Sequence, residues 1–345
     1  MKNILVLGVG GAAATNFIRS LRLSKEDFRI VGTDSNRYYL QRSEADSNYL
    51  LSSCKNSDYI NELKIIIAKE KINFIHIQND SEIAVISENR EEFDGKLFLP
   101  DKETIRMCQN KFRSYLCWKD IIPQPKKYLV QHEQKFKKIW NMIEGEKWLR
   151  EISGAGGRGS LKTNDYKEAC YWINKRNGWD RFEVSEYLSD QTVTWSSIWK
   201  DGKLLVAQGR KRLYWELAAN TPSGVTGSTG SATTISNKQL DDIAEASIFA
   251  IDKNPNGVFS VDLTYDKNGI PNATEINIGR FFTTILFFTE AGLNMPLIYT
   301  KSFFNEIVGI SKKYNPLPNN YVWIRGIDFL PKLLTPQEYI KLEKL

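Results

Sequence analysis

The sequence predicts an α/β protein: a doubly wound parallel sheet at the N-terminus, then a second half of α+β character. Three observations predict it. Strand-like and helix-like runs alternate through the first hundred residues, starting from NILVLG and a glycine turn, the order of a parallel sheet with crossover helices. Two long hairpins with Asp201-Gly202 and Asn268-Gly269 at their tips then replace that alternation. Between these regions lies a bare stretch, REISGAGGRGSL at 150–161, flanked by strand-like runs. At 345 residues the chain is too long for one small core and suggests two or three domains.

Each element follows in order. NILVLG is a short apolar strand, Gly8, Gly10 and Gly11 form a turn, and a helix runs to about Leu23. FRIVGTD is a second strand ending at Asp34. A helix near SDYINELKIIIAKEK and the strand INFIHIQ continue the alternation, and KLFLP closes the unit near residue 100. Residues 104–120 read as one helix, and the prolines of IIPQPKKYLV break it before a strand. FKKIWNMI is helical, KWLREIS a strand, DYKEACYWINKR a helix and FEVSEYL a strand. The stretch TPSGVTGSTGSATTIS reads as a loop or exposed edge. LDDIAEASIFAI is a helix, and VFSVDLTYD pairs with IPNATEIN. The tail beyond Lys301 shows no clear pattern.

Composition excludes several classes. The net charge of +6 is mild and dispersed; it suits anionic small molecules and does not argue for nucleic acid. Cys54, Cys108, Cys117 and Cys170 form no C-x-x-C pair, and there are two histidines, so neither a zinc site nor a disulfide framework is expected. The apolar N-terminal run imitates a signal peptide, but glycines interrupt it and a helix and strand follow. No run approaches a membrane span, and a cytoplasmic protein is expected.

The chemistry-bearing residues cluster late. On the second hairpin, alternation puts Ser260, Asp262 and Thr264 on one face and Phe259, Val261 and Leu263 on the other. Pairing Asp262 opposite Ala273 brings Asp262, Glu275 and Asn277 to one face. Two carboxylates and an amide oxygen on a rigid support suit magnesium, with phosphate oxygens completing the shell; a solvated acidic face is the plain alternative. The glycine stretch is not a Walker loop, which needs G-K-[ST] opening a helix. Bare amides there could lie over a triphosphate, with Lys111 and Arg150 as phosphate contacts. Arg210 and Arg212 share a strand face and could clamp an acyl phosphate or a substrate carboxylate, or form a solvated basic edge.

The order Lys111, Arg150, glycine flap, VSEYL, GRKR, Asp262 and EIN resembles the ATP-grasp superfamily, specifically carboxylate–amine ligases similar to the carbamoyl-phosphate synthase large subunit. The resemblance spans about residues 1–290. It implies a pre-ATP-grasp domain at 1–103, an ATP-grasp domain of two α+β subdomains at 104–300 with a flap subdomain about 121–188, and a C-terminal extension at 301–345 packing on it. It further implies phosphate contacts from Lys111 and Arg150, a flap of Gly154, Gly156, Gly157, Arg158 and Gly159, and an adenine hinge of Glu186, Tyr187 and Leu188. Magnesium, with manganese as a substitute, would sit on Asp262, Glu275 and Asn277, and Arg210, Arg212 and Arg280 would serve catalysis. Two departures stand out. Arg280 falls one residue late in E-I-N-I-G-R, and Thr192 occupies the usual ribose-binding glutamate position, with Gln191 nearby. The implied reaction joins a small carboxylate to an amine through an acyl phosphate, using ATP; a homodimer is common in the superfamily.

Two other functions remain open at this point. Gly8, Gly10 and Ala13, with Asp34 about twenty residues on, fit a dinucleotide fingerprint, so an NAD(P)-dependent dehydrogenase is one. A non-catalytic ATP-binding scaffold is the other. NADH and NADPH titrations beside ATP discriminate the first, and turnover discriminates the second.

Overall fold

A computed structural model describes residues 1–326, except residues 155, 158, 217, 219, 220, 222, 225 and 226. Arg158 of the predicted flap, and residues 327–345 of the predicted extension, lie outside the described residues.

The N-terminal unit runs β1 (Lys2–Leu7), α1 (Ala12–Arg22), β2 (Phe28–Asp34), α2 (Arg37–Leu40), β3 (Ser47–Leu50), α3 (Tyr59–Lys69), β4 (Phe74–Ile77) and α4 (Asp80–Glu88). Its parallel sheet has the order β3-β2-β1-β4. The crevice beside β1 at the carboxyl ends of the strands is therefore the switch point of this sheet. β3 and α4 went unread in the sequence. α4 starts because the Asn79 side chain accepts from the Ser81 and Glu82 amides, a cap that contributes about 1 kcal/mol.

Next come α5 (Lys102–Cys108) and α6 (Lys111–Trp118). The sequence predicts one helix here; the chain makes two. Asn110 caps α6 through the Phe112 and Arg113 amides, and the Lys111 amide leaves the helix ladder to donate to the Ile152 carbonyl. That break sets Lys111 at a helix start facing the glycine stretch.

A four-stranded antiparallel sheet, β5-β8-β6-β7, comprises β5 (Lys127–Val130), β6 (Lys147–Glu151), β7 (Leu161–Thr163) and β8 (Phe182–Glu186). It carries α7 (Glu133–Met142) and α8 (Tyr166–Lys175), whose Phe136, Trp140 and Ile173 pack with Phe182 and Leu149 in a core of their own.

The third sheet contains β9 (Thr192–Lys200), β10 (Lys203–Glu216) and β11 (Ser228–Ile235), then α9 (Lys238–Phe249) and the hairpin β12 (Gly257–Tyr265) and β13 (Pro271–Ile278). α10 (Leu286–Glu290), α11 (Met295–Phe303) and β14 (Val322–Ile324) follow. Its order is β13-β12-β9-β10-β11-β14. β11 corrects the expectation of a loop or exposed edge. It pairs on both sides, because its threonines suit a pleated surface and their hydroxyls find partners: Thr229 accepts from Arg212, and Thr234 donates to Pro318. α10 and α11 return to the N-terminal unit, where Phe281, Phe287, Phe288 and Tyr299 pack with Phe17, Ile4 and Val6. No helix among the described residues is long and apolar enough to cross a membrane.

Candidate active site

The hairpin face forms, in a register different from the predicted one. Asp262 lies opposite Glu275, not Ala273, because a bulge between Asp262 and Leu263 takes up Thr274. Thr274 is held by its hydroxyl on the Asp262 carbonyl, 2.9 Å away. Both Asp262 oxygens are fixed: Oδ1 accepts from Thr194 Oγ1 at 2.6 Å, and Oδ2 from Asn277 Nδ2 at 2.9 Å. Asn277 Oδ1 in turn accepts from Arg280 Nη2 at 2.8 Å. Gly279 sits in the left-handed region, φ +72°, and the displaced arginine turns back onto Asn277. The same guanidinium pairs with Asp80 of α4, Nη2 to Oδ2 2.9 Å, and so ties the N-terminal unit to this face.

Cations converge on Glu275 from the opposite wall. Lys111 Nζ is 3.3 Å and Arg150 Nη1 3.6 Å from its Oε2. Burial would raise the Glu275 carboxyl, but Lys111 and Arg150 outweigh it and hold it at about 2. Arg150 also donates to Glu183 Oε1 at 2.6 Å and to the bulged Thr274 carbonyl at 2.7 Å. Lys127 completes the cluster, 3.2 Å from the same Glu183 oxygen. Burial and the neighbouring Arg150 push the Lys127 ammonium down to about 8. Lys127 and Glu183 were missed in the sequence, where a lysine after PQPK and a glutamate within FEVSE look like ordinary strand residues. Alternation alone gave no signal for them: Lys127 lies on the parity opposite the core residue Val130, and Glu183 on the parity opposite Phe182 and Val184.

The glycine stretch connects β6 to β7, as expected. Gly154, Gly156 and Gly157 all take positive φ, +109°, +72° and +65°, a backbone that side chains disfavour. Gly159 is bare for space, since a Cβ there would come within 2.8 Å of Glu151. Lys111 Nζ reaches the Gly154 carbonyl at 2.6 Å. The hinge residues leave β8 beside the cleft. The Tyr187 amide is engaged by the Glu146 carbonyl, and the Tyr187 ring lies near Trp148 and under Lys162.

Trp148, Tyr187, Leu188, Trp215 and Leu263 line a slot that runs down to Arg150, Arg212, Asp262 and Glu275 and has a volume of about 150 Å³. A larger hollow of about 650 Å³ lies elsewhere; of its charged residues, Arg90, Lys200 and Asp252 are engaged by Pro100, Ser302 and Thr104.

Arg210 and Arg212 do share a face, and it is buried rather than a solvated edge. Arg212 donates to Thr229, Thr192 and Thr194 and lies 4.0 Å from Asp262. Thr192, at the glutamate position of the resemblance, thus accepts from an arginine here. Arg210 sits over the Phe282 ring, donates to Thr284, and leaves its buried Nε without a partner. Burial, then Arg212, lowers the Arg210 guanidinium well below its ordinary value.

The residues of the dinucleotide fingerprint are engaged within the chain. A Cβ at Gly10 would overlap the Tyr39 carbonyl at 2.1 Å, and the Asp34 carboxylate accepts from the Gly10 and Asn36 amides. Glu82 faces Gly8, where a pyrophosphate would meet a carboxylate.

Magnesium fits the hairpin face by donor chemistry. Among the described residues no three His, Cys, Asp or Glu side chains form a cage. Two carboxylates beside lysine and arginine suit a magnesium–phosphate site instead, whereas the Asn277 amide oxygen already accepts from Arg280.

Residues 4–97 match the PylC-like N-terminal domain family. No curated protein sequence matches the chain. Among solved structures, N5-carboxyaminoimidazole synthetase from Staphylococcus aureus, complexed with ADP, is similar at 13% identity and TM-score 0.69, over 92% of this chain and 80% of that one. L-amino acid ligase from Bacillus licheniformis is similar at 11% and 0.69, over 89% and 75%. Biotin carboxylase from Campylobacter jejuni is similar at 16% and 0.66, over 90% and 72%. At these identities the likeness is one of fold alone.

Proposed function

From an ATP-grasp fold headed by a PylC-like N-terminal domain, we propose that this chain is an ATP-dependent ligase joining a carboxylate to an amine. The observation that carries this reading is the paired arrangement at Glu275, with Asp262 and Asn277 behind it and Lys111 and Arg150 in front. The structural relatives include a protein described with ADP and one named as an amino acid ligase, which supports it.

In this reading the base lies in the slot by Trp148 and Tyr187. The slot is smaller than the roughly 300–1,000 Å³ of a whole small-molecule site, so the triphosphate extends along Lys111 and Arg150 under the glycine flap. Asp262, Glu275 and Asn277 would hold magnesium, which supplies neutralising charge to the phosphates when bound. Arg210 and Arg212 hold the acid substrate, whose carboxylate oxygen bonds to the γ-phosphorus as ADP leaves. The amine then bonds to the acyl carbon, phosphate departs and the nitrogen gives up a proton. The flap excludes water that would hydrolyse the acyl phosphate. Positioning and charge do the catalysis, and no side-chain nucleophile is required.

A phosphate-release screen of small acids against amines tests the proposal. ADP and phosphate formation that requires one acid and one amine together is expected. ATP turnover indifferent to every pair, or hydride transfer with NADH, would overturn it.

A further inference from the structure

The turn between β1 and α1 is built around an unusual group. Glu82, in the first turn of α4, is 7% exposed. Its Oε1 accepts from the Tyr59 hydroxyl at 3.0 Å, while its buried Oε2 has no partner within hydrogen-bond geometry, the Asn79 side chain being its neutral polar neighbour. That free oxygen points at Gly8: a Cβ built there would lie 3.4 Å from it. Gly8 has φ +64° and keeps this space open. Asp34, buried at the end of β2, adds a second negative charge that acts on Glu82.

A buried carboxylate oxygen with no donor is costly. Among the described residues no salt bridge reaches it. Arg280 is committed to Asp80 and Asn277, and Arg42 acts on Asp34 rather than on Glu82. The site also has a position. It lies at the switch point of the parallel sheet, where ligands of open α/β sheets bind. Asp80, two residues before Glu82, reaches through Arg280 to the Asn277–Asp262 face.

We propose that the crevice between Gly8 and the first turn of α4 is a subsite for a primary ammonium group, with Glu82 Oε2 as its acceptor and Asp34 as supporting charge. It rests on the ligase reading for its purpose: it holds the amino group of a substrate beside the phosphate centre. That group belongs either to the amine or to an amino acid serving as the acid; the recognition chemistry is the same.

The remaining titratable neighbours are Tyr59 and Cys54, and both are pushed up by burial, so they are neutral near pH 7. Burial, with Asp34, lifts the Glu82 carboxyl to about 7. An arriving ammonium must therefore displace a proton near pH 6.5.

The test uses the full chain with magnesium and a non-hydrolysable ATP analogue. Methylammonium and 1,4-diaminobutane are the probes, and tetramethylammonium at equal ionic strength is the control. Expected are saturable thermal stabilisation by the two primary ammonium ions only, and net proton release at pH 6.5 in calorimetry with buffers of different ionisation heat. In Glu82→Gln the apparent affinity should fall at least tenfold and the proton release vanish, with binding of the ATP analogue unchanged. Glycinamide and free glycine then separate the two sources: binding of glycinamide assigns the amine substrate, whereas glycine binding without glycinamide binding assigns the acid. Equal responses to all three cations, or an unchanged response in Glu82→Gln, would overturn the subsite. Loss of nucleotide binding in the wild type, with the ammonium response intact, would instead sink the ligase reading.

Discussion

Glu275 and Glu82 are two carboxylates in one molecule with opposite surroundings. Glu275 has Lys111 and Arg150 within 3.6 Å and is held at about 2. Glu82 has a tyrosine hydroxyl, a neighbouring aspartate and a free oxygen, and is lifted to about 7. Burial acts on both in the same direction, so the charges around them decide the sign. The first environment is charge-balanced, and the proposed function assigns it to the nucleotide phosphates. The second is negative and unbalanced, and is suited to an incoming cation.

Removing a cation from the balanced side should have the largest effect on stability. Arg150→Ala leaves Glu183 and Glu275 with Lys127 and Lys111 alone. Breaking such a buried pair costs about 3–5 kcal/mol. Denaturant unfolding should show that loss, and ATP affinity should weaken. If only the affinity for acid or amine changed, Arg150 would not be a phosphate contact.

The pH dependence sharpens the contrast. Glu275 titrates below its unfolded value of 4.5, so its contribution is present above pH 4.5 and is lost as pH falls towards 2. Glu82 titrates above 4.5, so its protonated form costs nothing at low pH and stability falls as pH rises from 4.5 to about 7. That second loss is on the order of 3 kcal/mol. Glu82→Gln should flatten the neutral limb of the stability–pH curve and leave the acid limb unchanged. A variant curve that overlays the wild type would mean Glu82 is not the titrating group.

Much of this was legible in the sequence because it depends on local rules. Alternation put Asp262 on a face away from Phe259 and Val261, and Asn268-Gly269 located the turn. The glycine stretch between two strands is where it was read. What escaped depends on tertiary context. Nothing local announces the Thr274 bulge, yet it sets Asp262 against Glu275 and turns a carbonyl towards Arg150. The break at Asn110 is a cap stabilised by a distant Ile152 carbonyl. Lys127 and Glu183 are partners 56 residues apart, brought together by the pairing of β5 with β8. The fingerprint at Gly8, Gly10 and Asp34 has the right spacing, but the Tyr39 backbone packs against Gly10 and the Glu82 carboxyl faces Gly8, neither of which the spacing announces.

The central claim is that the Glu275 face and its cations bind magnesium nucleotide. Calorimetric titration with ATP, with and without magnesium, beside NADH and NADPH, tests it most directly in the wild type and in Glu275→Gln. The account predicts magnesium-dependent ATP binding in the wild type, loss of that dependence in the variant with its fold intact, and no dinucleotide binding. Dinucleotide binding without any response to ATP would contradict it and move the active site to the Gly8 turn.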